Sequence, residues 1–115
     1  MKKKTKDLTD VQLASYMRVI AAVPGIEQKG KTMPYTSLNG YMFTHLSKEG
    51  VMGIRLSQKD RENFIRKYNS TLFEQHGRIM KEFVKVPDDL LHNTKELSTY
   101  LKISFDHTMS LKPKK

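Results

Sequence analysis

Cysteine and tryptophan are missing altogether from this sequence. Without cysteine there is no disulfide, no thiolate metal site and no cysteine nucleophile, so packing alone has to hold a domain of 115 residues. Long apolar runs are missing as well. None approaches the roughly 20 residues of a membrane span, and the basic start MKKKTKD leads into no signal-peptide core. The chain is therefore expected to stay in the cytoplasm, off the membrane. Glycine is sparse, with 6 residues, and Gly50 and Gly53 fall inside a hairpin pattern, so no glycine-rich phosphate loop can be read. The four histidines, His45, His76, His92 and His107, show neither an H-E-x-x-H motif nor a zinc-like spacing. Asp106 and His107 are neighbours on a helix and point about 100° apart, a poor geometry for an orienting pair. No catalytic residue, metal site or cofactor is expected.

What is abundant is positive charge, +9 at neutral pH. Its placement matters more than its total. Seven of the 21 basic residues lie in two tails, 1–8 and 112–115, and removing them together with Asp7 leaves 14 basic against 11 acidic residues. The part between, 9–111, is read as one nearly balanced globular domain. Basic tails are most simply solvated termini; the sharper reading is a sequence-independent nucleic-acid contact. The residues for it would be Lys2, Lys3 and Lys4 with the outer face of a helix carrying Lys59, Arg61, Arg66 and Lys67. No aromatics interleave with the tail lysines, which argues against single-strand binding there.

The stretch Gly40–Leu56 organises the chain. Two apolar-rich runs, Tyr41–Leu46 and Val51–Leu56, flank the polar connection Ser47-Lys48-Glu49-Gly50 and predict a β-hairpin. A lone hairpin is marginal in water, so neighbouring segments must cover it. Ahead of it, Thr9 with Gln12 forms a capping-box pattern for a first helix, whose inner stripe is Leu13, Tyr16, Met17 and Ile20 and which stops at Pro24-Gly25. Residues 26–39 read as an irregular extended strand carrying Pro34, and Asn39-Gly40 as a tight turn into the hairpin. Ser57 and Asp60 cap a second helix with Phe64, Ile65 and Tyr68 inside, ended by Asn69-Ser70.

A short strand at 71–73 and a longer one at 79–86 follow, joined by residues 75–78. Alternation sets Met80, Glu82, Val84 and Val86 against Ile79, Lys81, Phe83 and Lys85. Pro87-Asp88-Asp89 begins a helical turn, and Asn93 with Glu96 caps the last helix, with Leu97, Leu101 and Phe105 inward, joined by Tyr100 and Ile103. The order is α-β-β-β-α-β-β-α, an α+β domain on a five-stranded antiparallel sheet.

Gly40-Tyr41-Met42-Phe43, Ile54-Arg55-Leu56 and the run Met80-Lys81-Glu82-Phe83-Val84-Lys85-Val86-Pro87-Asp88-Asp89-Leu90-Leu91 before Glu96-Leu97 carry a family likeness. Across about residues 10–105 the chain resembles the N-terminal domain of the TfoX/Sxy competence regulators; the YjbR/MmcQ-like proteins are the alternative kinship. The family commonly has Met-Phe-Gly-Gly where this chain has Met33-Pro34-Tyr35-Thr36, and its longer members add a helical C-terminal domain. The resemblance implies a secretion-chaperone-like fold, often dimeric, and a role near competence or transcriptional control.

The leading expectation is thus a non-enzymatic regulatory or protein-interaction module with a protein partner. Nucleic-acid binding is the second. A small-molecule pocket is the third, with Tyr35, His45, Arg55 and His76 as its polar candidates because they sit on a strand face or a loop. Self-association through the sheet is also expected: helices cover one face of a five-stranded sheet, which leaves Ile79 and Phe83 (or else Met80, Val84 and Val86) for a partner copy.

Overall fold

The computed structural model describes residues 2–30, 34–75 and 77–113, with the side chains of 2–10 left aside. The element order is α1 (Lys2–Ala22), β1 (Gln28–Lys29), β2 (Tyr35–Leu38), β3 (Tyr41–Leu46), β4 (Met52–Arg55), α2 (Gln58–Tyr68), β5 (Leu72–Gln75), β6 (Arg78–Val86), α3 (Asp88–Leu91) and α4 (Thr94–Met109). The α+β class holds. The strand count does not: among the described residues the sheet has six antiparallel strands in the order β1-β2-β3-β4-β6-β5. The extra one is β1, where the extended segment before the hairpin breaks in two and Gln28 pairs with Thr36. The last helical region is also split, because Asn93 ends one turn and caps the next helix.

Local signals account for most boundaries. Ser57 accepts from the Asp60 N–H at 3.3 Å, Asn69 closes α2 in the left-handed region at φ 54°, and Asn93 accepts from the Glu96 N–H at 3.2 Å. Asn39 and Gly40 both take positive φ, 57° and 82°, as a two-residue primed hairpin turn requires. The start of α1 is a correction. Its backbone is helical from Lys2, so Thr9 is not its N-cap; lysine and leucine are good helix formers and nothing between 2 and 9 breaks the helix.

Helices cover one face of the sheet. Tyr16, Val19 and Ile20 of α1, Phe64 of α2, Leu90 and Leu91 of α3 and Leu97 and Leu101 of α4 pack on Leu46, Met52, Ile54, Val84 and Val86. Inside this core three buried hydroxyls form a chain, Tyr16 Oη to Thr44 Oγ1 at 2.7 Å and Thr44 Oγ1 to Thr36 Oγ1 at 2.8 Å, which fixes α1 against β2 and β3. Met17, expected inside, is 46% exposed. The inner stripe of α1 runs instead through Gln12, Ser15, Tyr16, Val19, Ile20 and Val23, one position round the helix.

The other face is closed by the chain itself. His45, Gly53 and Lys85 are register partners across β3, β4 and β6, with Arg55 and Phe83 the next pair along. At Gly53 the Phe73 ring lies so close that an added Cβ would stand 2.6 Å from it. From there Phe73 meets His45 at 5.9 Å and Phe83 at 6.4 Å between ring centroids. The β5–β6 pairing shifts register between Leu72 and Phe73, and this bulge lets the edge strand curl over the face. The residues expected at a partner face are corrected accordingly. Phe83 is 2% exposed, and Val84 and Val86 belong to the helix-side core, whereas Ile79 is 60% exposed and Met80 half-buried.

At the far end, Asn39 Nδ2 donates to the carbonyls of Thr108, Met109 and Leu111 at 3.4, 3.1 and 3.4 Å, and Tyr41 Oη donates to Lys112 O at 2.9 Å. The turn residue chosen for its backbone also caps α4. Gly53→Ala tests the curl. It should destabilise the protein by about 1–3 kcal/mol through overpacking, read by urea unfolding, and the loss should shrink when Phe73→Ala makes room; an unchanged midpoint for Gly53→Ala would mean Phe73 is not seated there.

Candidate functional site

Three of the four polar candidates share the helix-free face and one lies outside the described residues. Tyr35 is the register partner of His45, and Arg55 follows on β4; His76 is the residue not described. Arg55 is already committed. Its Nε donates to Met42 O at 2.9 Å, its Nη1 pairs with Glu82 at 3.2 Å, and its guanidinium lies over Tyr41 and Phe83 at 5.4 and 5.0 Å. Burial lowers its pKa, partly offset by Glu82. This arginine seals the aromatic cluster, and Phe73 fills the ground beside His45.

The expected nucleic-acid contacts on α2 are likewise drawn into local bonds. Arg61 Nη1 donates to Leu56 O at 2.7 Å, Arg66 to Asn63 at 3.4 Å, and the Lys67 ammonium lies 5.3 Å from the Tyr68 ring. Asp60 and Glu62 interrupt the run, and Lys59 is exposed beside them. Lys2, Lys3 and Lys4 stand in the first turns of α1.

Two adjoining clefts open instead at the end of the sheet. One, of about 480 Å³, lies among Gln12, Gly50, Tyr68, Asn69, Pro87 and Asp88; the other, of about 370 Å³, among Ser47, Leu72, Phe73, Glu74 and Gly77. Both are lined by Glu49, Val51, Thr71 and Lys85, so they meet along one seam as a single groove. None of Tyr35, His45 and Arg55 lines either part. Glu49, Glu74 and Asp88 face one lysine there, an acidic lining in a chain of net charge +9.

Each wall is fixed from the backbone up. Gly50 turns at φ 84° with its N–H on Ser47 O at 2.9 Å, and a Cβ there would stand 2.7 Å from the Gln12 side chain. Ser70 Oγ donates to Lys85 O, and the Lys85 N–H donates to Thr71 O at 2.9 Å, which joins the α2–β5 connection to β6. Gln12 Nε2 bridges Gly50 O at 3.3 Å and the Asp88 carboxylate, so α1 ties the hairpin to α3.

Behind Asp88 the network continues. Ser15 Oγ lies 2.6 Å from His92 Nδ1 and accepts from Arg18 Nη2 at 3.0 Å, while His92 Nε2 is 3.9 Å from Asp88 Oδ2. The direction of the Ser15–His92 bond follows the imidazole tautomer, since the hydroxyl that accepts from Arg18 can either donate to Nδ1 or accept from it. The residue types are those of a hydrolytic triad. The arrangement is not: Ser15 has no exposed surface and lines neither cleft, so no acyl group could reach it. The network braces α1 on α3.

Compared with known proteins, the chain matches no family model, no curated protein and no solved structure. Among the described residues no cluster of His, Asp and Glu could hold a metal ion, and no helix is long and apolar enough to cross a membrane.

The groove wall carries a titration signature. Burial and hydrogen bonds with Glu96 and Tyr100 raise the Tyr68 pKa, and burial raises that of Tyr16 against the opposing bond to Thr44. Both phenols stay protonated in the folded state where the unfolded chain ionises, so stability should fall as pH rises through about 10, and be unaffected near neutrality. Absorbance titration should show two of the five tyrosines ionising only with unfolding; five normal phenols would contradict the two bonded environments.

Proposed function

We propose that this domain is a non-enzymatic cytoplasmic interaction module with a regulatory role, as its resemblance to the TfoX N-terminal domain implies, and that its partner binds in the groove. The observation that supports this is the shared seam: Glu49, Val51, Thr71 and Lys85 line both clefts, so the two adjoin along these residues. A channel of that shape suits an extended protein segment better than a compact metabolite. Three carboxylates against one ammonium favour a segment rich in donors and carrying a basic side chain. The non-enzymatic reading is supported by the sealed serine and by the commitment of Arg55 to Met42, Glu82 and two rings.

Exposed groove positions allow a test that leaves folding alone. Thr71→Trp should fill the seam, and Glu49→Lys should reverse its charge, each with little effect on stability. In affinity capture from native lysate, a partner retained by the wild type should be lost from both variants and kept by the control Ile79→Ser. Identical retention by all four proteins, or turnover of a metabolite by the wild type, would sink the proposal.

A further inference from the structure

We infer that the partner enters the groove as an added β-strand, an extended protein segment with basic side chains that bonds to the outer backbone edge of β5. This rests on the groove reading above and says how the segment is held. β5 is the last strand of the sheet, and among the described residues it pairs with β6 alone. The cleft of about 370 Å³ runs along its other edge. Thr71, Leu72, Phe73 and Glu74 all line it, whereas a strand that turned one face to a cleft would contribute only every second residue. From β6 only Lys85 reaches the cleft, and the opposite wall is Ser47, Glu49 and Val51 of the β3–β4 turn.

Hydrogen bonding fixes which groups this edge presents. The Lys85 N–H donates to Thr71 O at 2.9 Å, so the Thr71 backbone faces β6. Backbone groups of an antiparallel strand turn alternately to its two sides, which aims the N–H and C=O of Leu72 and Glu74 outwards. The register shift leaves that phase intact: Leu72 pairs with Val84 and Phe73 with Met80, so the extra residues belong to β6 and β5 runs on regularly. The Phe73 ring agrees, since it lies on Gly53, the register partner of Lys85. Leu72 O accepts from the Thr71 hydroxyl at 3.0 Å, which leaves the Leu72 N–H and both groups of Glu74 for an incoming strand.

Charge selects what that strand carries. Glu49 and Glu74 are exposed in the lining, and neither forms an ion pair with a described residue. Lysine or arginine on the segment would meet them. A second copy of β5 could not, because its sequence is LFEQ. The opposite edge of the sheet offers less backbone, since β1 has only two residues and one of them is Lys29.

The test uses the full chain, isotope-labelled, and one probe, the acetylated and amidated peptide Lys-Val-Lys-Val-Lys-Val-Lys at ~1 mM, where even millimolar complexes are populated. Amide exchange at Leu72 and Glu74 should slow at least about tenfold on adding the peptide, while that of Phe73, which faces β6, should not. Methylating the valine nitrogens in one sample of the peptide and the lysine nitrogens in another should abolish binding in one and spare it in the other, since a strand offers one edge at a time. The peptide with glutamate for lysine should not bind, and Glu74→Lys, at an exposed position, should be folded and weaken the lysine peptide at least about tenfold. No binding of the lysine peptide to the wild type, unchanged exchange at Leu72 and Glu74 in the complex, equal tolerance of both methylated peptides, or equal binding of the acidic peptide would each overturn the inference. A lysate partner lost from Thr71→Trp, in a complex without protection at Leu72 and Glu74, would remove the strand and keep the groove, so the two readings fail separately.

Discussion

The absent side chain at position 53 governs one whole face of this protein. With no Cβ there, the Phe73 ring lies directly on the backbone of β4. The edge strand must curl to deliver it, and the register shift between Leu72 and Phe73 supplies the bend. Phe83 and His45 then close in on either side of Phe73, and Arg55 seals the outer edge between Tyr41 and Phe83. A six-stranded sheet with helices on only one face would otherwise expose its second face. The curl has a second consequence: it brings Leu72, Phe73 and Glu74 towards the hairpin turn at Ser47–Val51, and the space left between them is half of the groove.

Features set by near neighbours were legible in the sequence. Ser57 and Asn93 cap their helices because the partner N–H is three residues away, and Asn39-Gly40 turns because both residues tolerate positive φ. Face assignment failed where the chain departs from regular periods. On β6, alternation correctly separates Phe83 from Val84, but it cannot say that Phe73 will cover Phe83, since that depends on a glycine on a different strand. On α1 the apolar residues are spread round the helix, and tertiary packing rather than composition turns Met17 out and Val19 and Val23 in.

The groove was illegible for a related reason. Gln12 reads as the end of a capping box, Asp88 as an acid suited to a helix start and Gly50 as a turn former, each with a sufficient local explanation. Only the fold brings the three together across sequence separations of 38 and 76 residues. Conversely, Tyr35, His45 and Arg55 do reach one face, as their strand positions indicated, but His45 and Arg55 reach it as members of a packed cluster. A polar residue on a strand reports its face; whether it is available depends on what the neighbouring strands lay over it.

The inner side of α1 shows how polar ties hold a helix in one register. Its inner side mixes apolar contacts with polar ties: Tyr16 to Thr44, Ser15 to His92, and Gln12 to Gly50 and Asp88. A purely apolar stripe could rotate or slide by a turn at modest cost, whereas each of these bonds is satisfied in only one register, and a slip would leave buried polar atoms without partners. The outer side inherits that precision. Because the inner bonds fix the rotation of α1, Val11, Ala14 and Met17 are the positions left at the surface.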